Sequence, residues 1–191
     1  MDVRAEFSHD PVMHDEIVAT FSGVPAGVVL DGTLGGAGHA TAILDSRPDL
    51  TVLGIDRDPD ALAAAGRRLA PYGERALTHQ SRFDLLERAM DAHHVAELSG
   101  ALFDLGVSSH QLDVAERGFS YRHDGPLDMR MGPDAAWSAD DVVNGYDEAR
   151  LADVLHRYGD ERFARRIAAA IVAARPIEST TELAAVVTAA I

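Results

Sequence analysis

The sequence predicts an α/β fold, with a parallel sheet in the first half of the chain and helices in the second. Three observations predict it: short apolar runs that end on acidic residues, helix formers between those runs, and a change of texture after Gly106. Val28-Val29-Leu30 leads into Asp31-Gly32, and Thr51-Val52-Leu53-Gly54-Ile55 leads into Asp56. Ala76-Leu77-Thr78-His79 is a third run, and Ala101-Leu102-Phe103 leads into Asp104-Leu105-Gly106. Near-continuous apolar runs of this length mark strands buried on both faces. After the second run, Asp58-Pro59 supplies an N-cap and a proline at the first helical position, and Ala61-Leu62-Ala63-Ala64-Ala65 continues with strong helix formers. Another helix is expected to begin at Ser81. Strands alternating with helices imply right-handed crossovers and therefore a parallel sheet.

The segment from Ser108 to Gly132 is rich in Gly, Pro and charge, and helical patterns follow it. Leu151, Val154, Leu155 and Tyr158 form one apolar stripe, with Gly159 placed as its C-terminal cap. Asp160 is placed to cap the next helix, whose face is Phe163, Ile167, Ile171 and Ala174 and which Pro176 ends. Ser179-Thr180-Thr181-Glu182 reads as a capping box opening a last helix. The expected division is a sheet domain over 1–107 and a loop-rich, helical domain over 108–191. That last helix reaches Ile191 with no cap, and four strands are few for such a sheet. A truncated chain is expected, with an unpaired sheet edge and exposed apolar surface.

Composition narrows the chemistry. The 191 residues carry 31 acidic and 17 basic side chains, a formal charge of −14, and every basic residue is Arg. Zero Cys excludes thiolate zinc sites, iron–sulfur clusters and a Cys nucleophile. The nine His are scattered and show no HExxH pattern, so no metal site is expected. The longest apolar run, Ile167 to Ala174, falls short of the ~20 residues a membrane span takes. The start, Met1-Asp2-Val3-Arg4-Ala5-Glu6, lacks a signal-peptide pattern, so a cytoplasmic protein without a membrane partner is expected.

Ligands of open α/β sheets sit outside the carboxyl ends of the strands. The first strand end gives Asp31-Gly32-Thr33-Leu34-Gly35-Gly36-Ala37-Gly38-His39, where glycines let the backbone approach a ligand, or simply make a tight turn. The second gives Asp56, 20 residues after Gly36, whose carboxylate can accept hydrogen bonds from both vicinal hydroxyls of a ribose. The dinucleotide pattern G-x-G-x-x-G/A breaks at Thr41, and without Lys a P-loop is impossible. An adenosine ligand without a pyrophosphate is favoured. S-adenosylmethionine fits, since its cationic sulfonium suits a pocket ringed by Asp31, Asp56 and Asp104. Without a Cys, methylation of a pyrimidine ring carbon is closed, which leaves an exocyclic amine, a hydroxyl or a ring nitrogen as acceptor.

Several motifs resemble the bacterial 16S rRNA (cytosine-N4)-methyltransferase (RsmH/MraW) family. They are His9-Asp10-Pro11-Val12-Met13, Asp31-Gly32-Thr33-Leu34-Gly35, Asp56-Arg57-Asp58-Pro59 and, above all, Asp104-Leu105-Gly106-Val107-Ser108-Ser109-His110-Gln111-Leu112-Asp113. Arg117-Gly118-Phe119-Ser120, Asp124-Gly125-Pro126-Leu127-Asp128-Met129-Arg130-Met131 and Tyr158-Gly159-Asp160-Glu161-Arg162-Phe163-Ala164 belong with them. The resemblance implies a Rossmann-like class I methyltransferase sheet interrupted by a helical substrate domain, and N4-methylation of a cytidine in the decoding centre of the small ribosomal subunit. It implies S-adenosylmethionine contacts from Ala37, Gly38, His39, Asp56, Phe83, Asp104 and Gln111. Phe83 would lie near the adenine, the alternative being core packing; His39 serves equally as a first-turn helix residue in water. The family usually has Gly where this chain has Ala37, so Ala37 is expected to keep φ below zero. Asp104 is the candidate catalytic residue, orienting the cytosine amine, or else it only caps the following turn.

The implied partner is 16S rRNA within the small subunit. Arg117, Arg122 and Arg130, and then Arg162, Arg165, Arg166 and Arg175, form two clusters that either meet RNA or make solvated faces paired with acids. A methyltransferase with another substrate and a non-catalytic ribosome- or partner-binding module remain as alternatives.

Overall fold

A computed structural model describes residues 11–191, which belong to two compact units, one running to Ser108 and one from Ser109 to Ile191. His9 and Asp10 of the first motif lie outside the described residues.

The first unit opens with α1 (His14–Phe21) and holds β1 (Gly27–Asp31), α2 (Gly38–Ser46), β2 (Leu50–Asp56), α3 (Pro59–Leu69), β3 (Ala76–Gln80), α4 (Leu86–Ala92) and β4 (Gly100–Leu102). All strand pairs are parallel, in the order β3-β2-β1-β4. Val29 pairs with Val52 and Leu30 with Leu53, and all of them are fully buried. Because side chains alternate along a strand, the pairs serve opposite faces. Val29 and Val52 pack with Phe21, Ile43, Leu44 and Leu69, while Leu30, Leu53 and Ile55 pack with Ala89, Leu77 and Leu86. Burial on both faces is why these strands read as continuous apolar runs. Asp58 caps α3 as expected, accepting the Asp60 N–H at 3.0 Å. The helix expected from Ser81 starts later. Arg82 is extended (φ −75°, ψ 147°), and a 3-10 turn at Phe83–Leu85 leads into α4.

The second unit holds α5 (Ser109–Asp113), α6 (Ala139–Gly145), α7 (Glu148–Gly159), α8 (Ala164–Ala174) and α9 (Thr180–Ala190). Leu127, Val143, Leu151, Ile167, Ile171 and Ile177 form its core. Polar clamps hold the core together. Arg175 donates from Nε to the Val143 carbonyl and from Nη2 to the Tyr146 carbonyl, both at 2.6 Å. Asn144 donates to the Ile177 carbonyl at 2.8 Å and accepts the Ile177 N–H at 3.0 Å.

Several helix ends differ from the sequence expectation. Gly159 stays helical and Asp160 takes the left-handed conformation (φ 48°), which a short polar side chain tolerates. Asp160 therefore does not cap α8; the Glu161 carboxylate accepts the Phe163 N–H at 2.7 Å instead. The apolar stripe of α7 stops at Leu155, and the Tyr158 ring is 83 % exposed. At α9 Ser179 caps Glu182, but the Glu182 carboxylate takes the Glu178 N–H, so only half of the capping box forms. A complete box joins Ser138 and Asp141 at α6. Among the described residues, no helix is long and apolar enough to cross a membrane.

Candidate functional site

The chain runs outward from β1 through β2 to β3, then returns to place β4 on the other side of β1. The carboxyl ends of β1 and β4 therefore flank the switch point, where such sheets leave a crevice. Asp31 ends β1, Asp56 ends β2 and Asp104 follows β4, so the three carboxylates stand on adjacent strand ends. Their backbones are tied together. The Gly32 N–H donates to the Leu102 carbonyl at 2.9 Å, and the Asp104 N–H to Thr33 Oγ1 at 2.7 Å. Phe103 lies directly over Gly32, where any Cβ would collide with the ring.

The turn after β1 is pinned to β2. The Leu34 N–H donates to the Ile55 carbonyl at 3.0 Å, and the Gly35 N–H to Asp56 Oδ2 at 2.8 Å. Gly35 has φ 50°, a conformation glycine adopts without strain. Ala37 was expected at negative φ and instead sits at φ 61°, ψ 31°. Its N–H is held by the Leu34 carbonyl at 2.8 Å, its carbonyl accepts from Thr41, and its methyl group is fully buried. The surrounding bonds hold alanine in a left-handed conformation that costs roughly 1–2 kcal/mol. Gly38 opens α2 beside Pro11. His39 is not a solvated residue: it is buried, and its Nε2 donates to the Val12 carbonyl at 2.8 Å.

Phe83 is likewise not a core residue. It is 45 % exposed and meets Phe103 edge to face, with centroids 5.8 Å apart. Gln111 is buried on α5 and belongs to the second unit. The first unit thus gathers Ala37, Gly38, His39, Asp56, Phe83 and Asp104 around the strand ends, and Gln111 is carried by α5 of the second unit. Sequence reasoning passed over Thr33 and Phe103. The signal for Phe103 was a glycine directly after β1, which left room for a ring from the neighbouring strand.

Burial sets the electrostatics. Asp31 is pushed up to about 6 by loss of water, against the Thr33 N–H and the nearby His39, while the negative charges of Asp56 and Asp104 add to the rise. Burial also raises Asp56, helped by the Asp58 charge and opposed by N–H donors from Asp58, Gly35 and Arg57. Asp56 Oδ2 accepts the Gly35 N–H at 2.8 Å and Oδ1 the Asp58 N–H at 2.9 Å, and the Arg57 N–H also bonds the carboxylate. A carboxylate has about four acceptor positions in all, so Asp56 is not saturated by these donors. Crowded carboxylates short of water favour a cation, and the exposed ring pair offers apolar aromatic surface. A ribose, an aromatic base and a positive charge match this set.

The MraW methylase family profile matches residues 6–191. The chain belongs to the MraW methylase family. It is 47 % identical over 191 residues to the ribosomal RNA small subunit methyltransferase H of Geotalea daltonii, covering 98 % of this chain and 61 % of that protein. The enzyme of the same name from Kocuria rhizophila is 50 % identical over 196 residues, covering 100 % of this chain and 60 % of its own length. That from Mycobacterium marinum is 52 % identical over 170 residues, covering 86 % and 43 %. The chain thus spans about three-fifths or less of the length of these MraW relatives. Within the family frame, the long motif from Asp104 to Asp113 leads from the end of β4 into α5, passing from the first unit to the second.

Proposed function

We propose that this chain is the cofactor-binding and helical part of an S-adenosylmethionine-dependent methyltransferase acting on N4 of a cytidine in the decoding centre of 16S rRNA. Its partner is the small ribosomal subunit, in the cytoplasm. The observation that carries the reading is the set of strand-end carboxylates around the glycine-rich turn at the switch point. The names of the relatives support the substrate class.

The donor set fits the cofactor. The Asp56 carboxylate would accept from the ribose hydroxyls. Phe83, with Phe103 behind it, offers a face to the adenine. Ala37, Gly38 and His39 form the turn along which the rest of the molecule lies, Asp31 and Asp104 supply negative charge for the sulfonium, and Gln111 is a further contact by family likeness. Bound S-adenosylmethionine supplies an activated methyl group. A cytosine amine is conjugated and barely nucleophilic, so it needs an acceptor that turns its lone pair toward the methyl carbon. Asp104 is exposed, and its backbone is fixed on Thr33. Its carboxylate would accept an amine N–H, orient the nitrogen lone pair and receive the proton that the methylated nitrogen gives up.

The test is mass spectrometry of nucleosides from unmodified small subunits incubated with the protein and labelled S-adenosylmethionine, beside the Geotalea daltonii enzyme. Labelled N4-methylcytidine is expected. Asp104→Asn should reduce transfer far more than cofactor affinity. Equal losses would confine Asp104 to holding the cofactor, and label on another base or none would sink the substrate assignment.

A further inference from the structure

The arginines of the second unit have different surroundings. Arg175 is turned inward onto backbone carbonyls, Arg130 pairs with Asp128 at 2.7 Å, and Arg117 donates to the Arg130 carbonyl at 3.2 Å. Arg157 pairs with Asp153 at 3.3 Å. Arg122 is exposed in the loop before α6, and Arg150 lies over the Tyr146 ring, 3.6 Å from its centroid, and donates to the Tyr146 hydroxyl at 3.0 Å. Arg162, Arg165 and Arg166 are clustered at one helix end. They are exposed, and among the described residues none forms an ion pair with a carboxylate. Arg162 only crosses the Phe163 ring, 4.6 Å from its centroid.

Their placement opposes the helix that carries them. They sit at and just before the first turn of α8, which contains no acid, while Ala164, Ile167, Ala168 and Ile171 face the core. Cations at this end oppose the helix dipole, and like charges at three- and four-residue spacing repel. On α3 the exposed pair Arg67 and Arg68 occupies the last turn, where the dipole favours them. Arginines held where the fold does not want them mark a functional surface. Beside them, at the end of α7, Tyr158 is 83 % exposed, and the only acids in the connection are Asp160 and Glu161, the latter occupied by the Phe163 N–H.

We infer that the corner between α7 and α8 is an RNA-binding surface, with Arg162, Arg165 and Arg166 on backbone phosphates and Tyr158 under an unpaired base. The inference rests on the rRNA reading above. Guanidinium forks match phosphate geometry, and aromatic rings stack on bases splayed from single strands. A formal charge of −14 repels RNA over most of the surface, so the contact must be concentrated in a local patch. An acidic protein segment would use the guanidinium groups and leave the ring idle, so Tyr158 separates the two partners.

The test is binding of a fluorescent 16S rRNA transcript across a salt series. R162Q/R165Q/R166Q should weaken binding on the order of 100-fold at 0.1 M salt and make the log–log salt slope shallower by about 2 to 3. Tyr158→Ala should cost about tenfold, and the control R67Q/R68Q little. Melting temperature should hold or rise in the triple variant, because repulsion at the helix end is relieved; a merely structural role would lower it. An unchanged salt slope, an equal loss in the control or a destabilised triple variant would overturn the inference. So would equal capture of a polyglutamate peptide with no effect of Tyr158→Ala, which would assign the corner to an acidic protein. A wild-type chain without RNA affinity also overturns it, whereas the substrate reading stands or falls separately on methyl transfer to intact subunits.

Discussion

The two units are held together by different physics. In the first, strands of fully buried Val, Leu and Ile stack in register and helices cover both faces, so cohesion is apolar and spread over many residues. In the second, the apolar core is threaded by a few charged or amide side chains that end on backbone carbonyls, notably Arg175 and Asn144. Distributed burial degrades gradually with each deletion, whereas a clamp fails at one residue and leaves carbonyls without donors.

The largest expected effect is in the sheet. Leu53→Ala, at a site with no exposure, should cost roughly 2–5 kcal/mol. Hydrogen exchange should then show the loss in residues 27–102, with the helices after Ser138 keeping their protection. Equal loss in both regions would break the comparison, because it would make the chain one cooperative unit.

Next comes Asp31, whose folded pKa of about 6 lies above the ordinary 3.8. The folded protein binds this proton more tightly than the unfolded chain does. The resulting stability is fully present below about pH 4, is lost as pH rises toward 6, and stays lost above it; a shift of this size is worth about 3 kcal/mol. Asp31→Asn should therefore be more stable than wild type at pH 7.5, with the advantage vanishing near pH 4. Denaturant titrations at both pH values check this, and a constant difference would rule it out.

Arg175→Ala should cost about 2 kcal/mol, since it removes two charge-assisted hydrogen bonds. The loss of exchange protection should centre on α6 and the residues near Ile177 and leave β1 and β2 unchanged. The smallest effect belongs to Ala37→Gly. Relief of the left-handed strain is offset by a lost buried methyl and a freer unfolded chain, so a gain of about 1 kcal/mol or less is expected. A clear loss in calorimetry would mean that the methyl contact outweighs the strain.

What the sequence disclosed follows the same divide. All four strands, the Asp58 cap and the strand-end acids were legible, because burial on both faces writes itself into consecutive apolar residues and caps are local. The inward turn of Arg175 was not, because its partners are about thirty positions away and an arginine before a proline looks like surface. The conformation of Ala37 was missed because it is imposed by the Leu34 and Asp56 contacts of the turn, not by alanine itself. Phe83 and Phe103 meet across the sheet from different strand ends, a pairing that depends on the β4 crossover and not on spacing. Gly159 and Asp160 exchanged roles because either residue can take a left-handed conformation, and sequence alone does not choose between them.

Asn144 is followed by Gly145, the neighbour that least hinders attack of a backbone nitrogen on an asparagine amide. Here the amide is doubly engaged with Ile177 and also donates to Asp140 at 2.6 Å, inside a helix that keeps the attacking nitrogen away. The folded second unit thus shields its own most perishable bond. Each opening exposes it, and conversion to aspartate would replace a donor facing the Ile177 carbonyl with a negative oxygen, so reclosure becomes harder. The residue acts as a chemical clock, and the combined aspartate and isoaspartate fraction at position 144 in an aged sample records how often that unit has opened.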